Sequence, residues 1–494
     1  MFNKIKELVN RILNLNKRLD EYGKDSIVQA MPSLAYVNRA KKCIEKQEYK
    51  EAEKILEEAM ELPQEDALVY KYLGIVCERT QRIHEAVVSY KKSANLDNAD
   101  KDIWRLLGFA LVNSNLPDEA VDAFENANKI NPANTDIFAG WGMALMKLKR
   151  YPEAHEKFME SVRLNRYNFM ALLFAATMEV RLNRLNDAEA KLKFLTSVSP
   201  NDANNYEYAN LKYIKKDYNS AIYYAKRALE FNRNILPVYL LLAKLYAIKG
   251  DKTESYNTYE MAETQGLESP NLFFDKAVTM QMFEDFENAK LYFIKTLAIL
   301  PGEEEANAGL ALVNVCLGNI EDAEKLLDGI KNLKDTNYLY AKTLGLLALK
   351  KCEYKKALDY FKKVKELVFF DDMLNVCMAE ACEGLEDINS AKEHYENALL
   401  SPNCTLNTYL KYSRFLIKIG EIDSAQRKLR RALKFDENNL EVLNLLFHTG
   451  YILVKENGSD YNKKETLSIA DKIISIDEGA FDYPEERKAL ESQV

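Results

Sequence analysis

The chain has 494 residues, 47% of them apolar, and its 76 acidic and 68 basic residues leave a formal charge of -8. That balance argues against a general nucleic-acid role, and no run approaches the about 18 uninterrupted apolar residues of a transmembrane helix. Cysteines at 43, 77, 316, 352, 377, 382 and 404 form no CxxC pair and no regular disulfide framework. With no apolar signal core in the opening MFNKIKELVNRILNLNKRL, a reducing, cytoplasmic location is expected.

In residues 1–32, Phe2, Ile5, Leu8, Val9, Ile12, Leu15 and Leu19 make an apolar stripe, with Lys4, Lys6, Arg11, Lys17 and Arg18 supplying positive charge. The spacing predicts an amphipathic capping helix; a membrane-surface or self-association helix would need the same pattern. Then a small residue begins to recur: Ala52, Ala86, Ala120, Ala154, Ala188, Ala221, Ser255, Ala289, Ala323, Ala357, Ala391 and Ala425. Every interval is 34 residues except that from Ala188 to Ala221, which is 33. Such a period marks an array of two-helix units, each completing its core only against its neighbours. The short interval implies one residue lost from the turn between helices or from the preceding connection.

Residues 101–134 state the unit most clearly. Trp104, Leu107 and Leu111 have the spacing of one buried helical face, and Gly108 lets a partner helix approach. Asn115 and Leu116 fall at a turn, Pro117 suits a helix opening, Ala120, Phe124 and Ala127 line the second helix, and Pro132 ends it. This pattern resembles the tetratricopeptide-repeat family across about residues 33–439, with Leu111 in place of the common aromatic. The resemblance implies an all-α fold, a right-handed alpha-alpha superhelix of twelve tandem hairpins whose first helices line a concave wall.

Residues 440–477 read as a degenerate thirteenth repeat and C-terminal cap, interrupted by an extended loop at 454–465, and 478–494 as a polar tail. On the concave wall, outward positions nominate Met143, Met146, Met170, Leu173 and Val180, then Phe274, and a later group of Leu339, Leu346, Leu349 and Met373. Flexible methionines and apolar anchors suit a peptide or amphipathic helix. The competing reading is that these side chains pack against neighbouring first helices or the opposite wall. The lysine and asparagine pattern of a chaperone-binding carboxylate clamp is missing around Lys71, Asp102, Arg105 and Phe109, and no concave asparagine ladder recurs.

His84, His155, His394 and His448 make no HExxH motif, and no phosphate loop, nucleophile elbow or dinucleotide fingerprint occurs. His84, His155 and His394 are expected on partly solvated faces and His448 in an irregular segment. Cys377 and Cys382 are five residues apart, poorly placed for one helical face. The expectation is therefore a non-enzymatic scaffold for a protein or peptide partner, without cofactor, metal or small-molecule substrate. The alternative is a regulatory or targeting subunit of an enzyme acting on a macromolecule. Oligomeric state is left open.

Overall fold

The computed structural model describes residues 32–330, 332–333, 337–367, 372–401, 404–457 and 460–492. The expected cap at 1–32 lies outside them except for its last position. Among the described residues there are 27 α-helices, one short 3-10 turn and no strand. They divide into two units, one ending at Phe231 and the other beginning at Asn232. Both are built from antiparallel helix pairs stacked in chain order, the all-α superhelical architecture anticipated above.

The first unit runs as six pairs from Pro32–Glu45 with Tyr49–Met60 to Asp202–Ile214 with Tyr218–Phe231. Two of its second helices carry a proline in the first turn, Pro117 and Pro152, where a missing N–H costs nothing. In every pair up to Ala432 the turn inside the pair is three residues long and places its middle residue in the left-handed region. Gln81 has φ 64° and Asn115 φ 59°, while Gly250, Gly318 and Gly420 take the same place in the second unit. The left-handed residue lets the chain double back on the end of the first helix. Arg82 N–H then donates to the Cys77 carbonyl at 2.8 Å and Leu116 N–H to that of Leu111 at 2.9 Å. These bonds satisfy carbonyls that a helix end would leave unpaired.

The single 33-residue interval arises in the connection between pairs. Helix Leu185–Val198 is followed by helix Asp202–Ile214 after residues 199–201, whereas residues 165–168 separate Tyr151–Leu164 from Phe169–Arg181. The turn inside the pair, residues 215–217, keeps its usual length.

Small and large residues alternate through the core. Phe124 is fully buried beneath Gly108, where an added Cβ would lie 2.7 Å from its ring, and beneath Gly140 of the next pair, at 2.4 Å. Phe109 meets the same ring edge-on, with centroids 5.3 Å apart. Ala120 is likewise without exposed surface. Ala120→Phe should therefore cost about 1–3 kcal/mol by forcing backbones apart. Thermal melts of variant and wild type that coincide would refute this.

In the second unit, pairs run from Leu236–Ile248 with Lys252–Thr264 to Leu440–Asn457 with Asp460–Ile476. The expected extended loop at 454–465 is largely helical, because Leu453 and Val454 are buried and carry the first helix of this last pair onward to Asn457. The expected polar tail also departs from the reading. Its 3-10 turn Glu478–Ala480 and helix Pro484–Glu491 fold back onto the last pair. Phe481 meets Phe447 at 5.0 Å, Tyr483 stacks on His448 at 4.8 Å, and Leu490 is 1% exposed. Three apolar residues spread through a charged segment suffice to cover the end of the stack. His448 accordingly sits within helix Leu440–Asn457 rather than in an irregular segment.

Candidate functional site

A first helix in these pairs turns one face to its own second helix and another away from it, and the nominated residues were assigned to the latter. The structure sorts them into three groups. Met170 is exposed, at 62%. Met143, Met146 and Val180 are half-buried, resting on the core with part of each side chain outward. Leu173, Leu339 and Leu346 are 5–7% exposed and belong to the core, so they cannot meet a partner without unfolding. Helical spacing carries no information about what lies across the wall.

The second unit shows what does. Asn407, on helix Leu406–Lys418, donates to the Glu284 carboxylate at 3.4 Å, although Glu284 lies in a turn four pairs earlier. Phe274 and Met373 pack, half-buried, against the same apolar cluster as Leu339, Leu346 and Leu349. Lys411 and Glu380 pair at 2.5 Å beside them. Leu312 and Val315 have no exposed surface, and Gln281 is 2% exposed. Burial also pushes the Cys316 thiol up to about 11, against the pull of Lys342. Between Gln281 and Leu346 the first-helix wall of this unit is thus filled by its own side chains, the intramolecular alternative for the later group.

In the first unit the corresponding positions stay more open. Ile75, Phe109, Met143, Met146, Thr177 and Val180 are all half-buried rather than buried. They form a run of apolar and weakly polar side chains across four consecutive pairs. Flexible thioethers at its centre can fit irregular apolar surfaces.

Charges between pairs hold the stack in register. A residue one place beyond the repeated small position reaches the first helix or turn of the next pair: Glu53 to Arg82 at 2.7 Å, His155 to Glu179 at 2.9 Å, and Glu189 to Lys212 at 2.6 Å. The hydroxyl of Tyr256 does the same to Asp285 at 3.2 Å in the second unit. His155 keeps the partial exposure expected of it and is also bound to the buried Glu179, which accepts from Lys191 at 2.7 Å as well. The signal was present in the sequence as a charged or polar residue beside Ala52, Ala154, Ala188 and Ser255.

All seven cysteines are free. Among the described residues, no cluster of three His, Cys, Asp or Glu is placed to hold a metal ion. No helix among them is long and apolar enough to cross a membrane.

Comparison with known proteins follows the same lines. The family described as "Psidin, N-terminal TPR repeats region" matches residues 41–199. A TPR repeat-containing protein, MJ1428 of Methanocaldococcus jannaschii, is 25% identical over 224 residues, which are 44% of this chain and 35% of that relative. The chain therefore spans about a third of that relative's length. Among solved structures, the chain is similar to one from the APC/C hetero-tetramer Cut9-Hcn1, with a TM-score of 0.55 at 16% identity, covering 92% of this chain and 94% of that one. At that identity the likeness is one of fold.

Proposed function

This chain is a tetratricopeptide-repeat protein, and from that premise we propose that it is a non-catalytic scaffold which holds a peptide or helix of a partner protein on the first-helix wall of its first unit. The observation that carries this reading is the contrast between the two walls. Met143, Met146 and Val180 keep part of their surface, whereas Leu312, Val315 and Leu346 of the second unit are covered by their own chain. Apolar surface left outward in a rigid frame gains free energy only when something covers it. The free thiols support a reducing compartment such as the cytoplasm.

The test is capture of the native partner from a lysate, identified by mass spectrometry, with wild type and with Met143→Glu/Met146→Glu. Two carboxylates on this wall should abolish capture while circular dichroism stays unchanged, since both side chains already contact solvent. Equal capture by the double variant would remove this wall as the binding surface.

A further inference from the structure

The turns inside the helix pairs of the first unit share one edge, next to the last residues of the wall described above. In the five pairs beginning at Ala67, the last residue of the first helix and the three-residue turn occupy 79–82, 113–116, 147–150, 181–184 and 214–217. These twenty positions hold nine basic residues and one acidic residue, Asp217. The equivalent positions of the six pairs from Leu236 to Ala432, at 248–251, 282–285, 316–319, 350–353, 384–387 and 418–421, hold four basic and seven acidic. The chain as a whole is acidic, so this strip runs against its composition.

Part of the strip is committed to the fold. Arg82 pairs with Glu53 and Glu85, Arg150 with Glu153, and Lys215 with Glu189. Arg79, Lys147, Lys149, Arg181 and Arg184 are not held by an ion pair of this kind among the described residues. Arg79, Lys149 and Arg184 are exposed and make no ion pair among the described residues. Lys147 gives a hydrogen bond to the neutral Val112 carbonyl at 2.8 Å, which leaves its charge uncompensated. Arg181 acts on Glu207, whose carboxyl burial nonetheless holds above the ordinary carboxylate range. A cation at the end of a helix is favoured by the helix dipole, which accounts for Lys147 and Arg181 singly. It does not account for Lys149 or Arg184, which lie in the turns.

Two of these cations also adjoin the apolar wall. Lys147 follows Met146 and Arg181 follows Val180 in sequence, half-buried apolar side chain next to exposed charge. We propose that this edge docks an extended acidic peptide whose apolar side chains rest on Met146 and Val180 while its carboxylates face Arg79, Lys149, Arg181 and Arg184. The proposal rests on the scaffold reading above and specifies the partner's chemistry. The apolar half of the surface favours a peptide over a nucleic acid, which would leave Met143, Met146 and Val180 uncovered. Opposite charges set along a rim speed encounter and select partners, and their effect falls with salt.

The experiment selects a phage library of random dodecapeptides on the full chain. The wild type should enrich peptides in which aspartate or glutamate flanks leucine, methionine or phenylalanine. Affinity for a selected synthetic peptide should fall at least about tenfold in Arg79→Glu/Lys149→Glu/Arg181→Glu/Arg184→Glu. The matching set of glutamine variants, with a smaller loss, guards against misfolding of the reversal. Enriched peptides without acidic excess, or affinity untouched by both sets, overturns the proposal. If such neutral peptides are lost in Met143→Glu/Met146→Glu, the scaffold reading survives alone. If no peptide is enriched, both fall. Oligothymidine bound by the wild type and lost on reversal, without acidic peptides, reassigns the strip to nucleic acid and overturns it too.

Discussion

Phe124→Ala is expected to lower the stability of the first unit by about 3–5 kcal/mol, the range for removing a fully buried ring. The ring has no exposed surface and fills the space left by Gly108 on its own pair and Gly140 on the next. Its loss opens a cavity that two glycines cannot close, and it removes the edge-on contact with Phe109. Because each pair is completed by its neighbour, the loss should reach the adjoining pairs as well. Urea unfolding followed by far-ultraviolet circular dichroism reads the effect, and a loss below about 1 kcal/mol would contradict the packing argument. A double-mutant cycle sharpens it. Gly108→Ala should destabilise the wild type, since its methyl would sit 2.7 Å from the ring, yet be better tolerated in Phe124→Ala. The coupling should lie within about 0.5–3 kcal/mol; strict additivity would place the two residues out of contact.

The second large effect concerns Glu179, where the sign is the point. This carboxylate is 3% exposed, bonded to His155 and Lys191 through one oxygen, while its Oε2 has no partner. A buried ion pair that is only partly satisfied returns little of its desolvation cost. Two other pairs place leucine at this point, Leu111 and Leu145, each about 1% exposed. Glu179→Leu should therefore be neutral or stabilising by up to about 4 kcal/mol, because His155 and Lys191 can turn to water. Lys191→Met should instead destabilise by about 3–5 kcal/mol, since it strands a charge in the core. Chemical denaturation of both variants decides the matter. A strongly destabilised Glu179→Leu would show that the network contributes net stability beyond register.

These two sites differ in how far they could be read in advance. Phe124, Gly108 and Ala120 lie at fixed places in a period of 34, so their packing followed from spacing alone. Glu179 breaks that pattern, and its partners come from the preceding helix pair and from its own second helix. The polar residue beside Ala154 marks one side of this contact in the sequence, but its partner 24 positions away is identified only once the stacking is known. The same holds for His448, whose ring is covered by Tyr483 from a segment that had read as a polar tail.

The sequence by itself determined the helix pairs, their order and their turns, because those rest on local periodicity and on residues that recur at one place in each unit. It also contained the basic strip, as a bias of charge at the turns, though only the ion pairs reveal which cations remain free. Tertiary structure decided which part of the first-helix wall is surface. Met143 and Leu346 have the same apolar character at equivalent places on their helices, yet one keeps contact with solvent and the other is 5% exposed. The difference comes from Phe274 and its neighbours, brought across the coil from pairs far away in sequence. A helical period records which way a side chain points, and the coiling of the stack sets what it meets there.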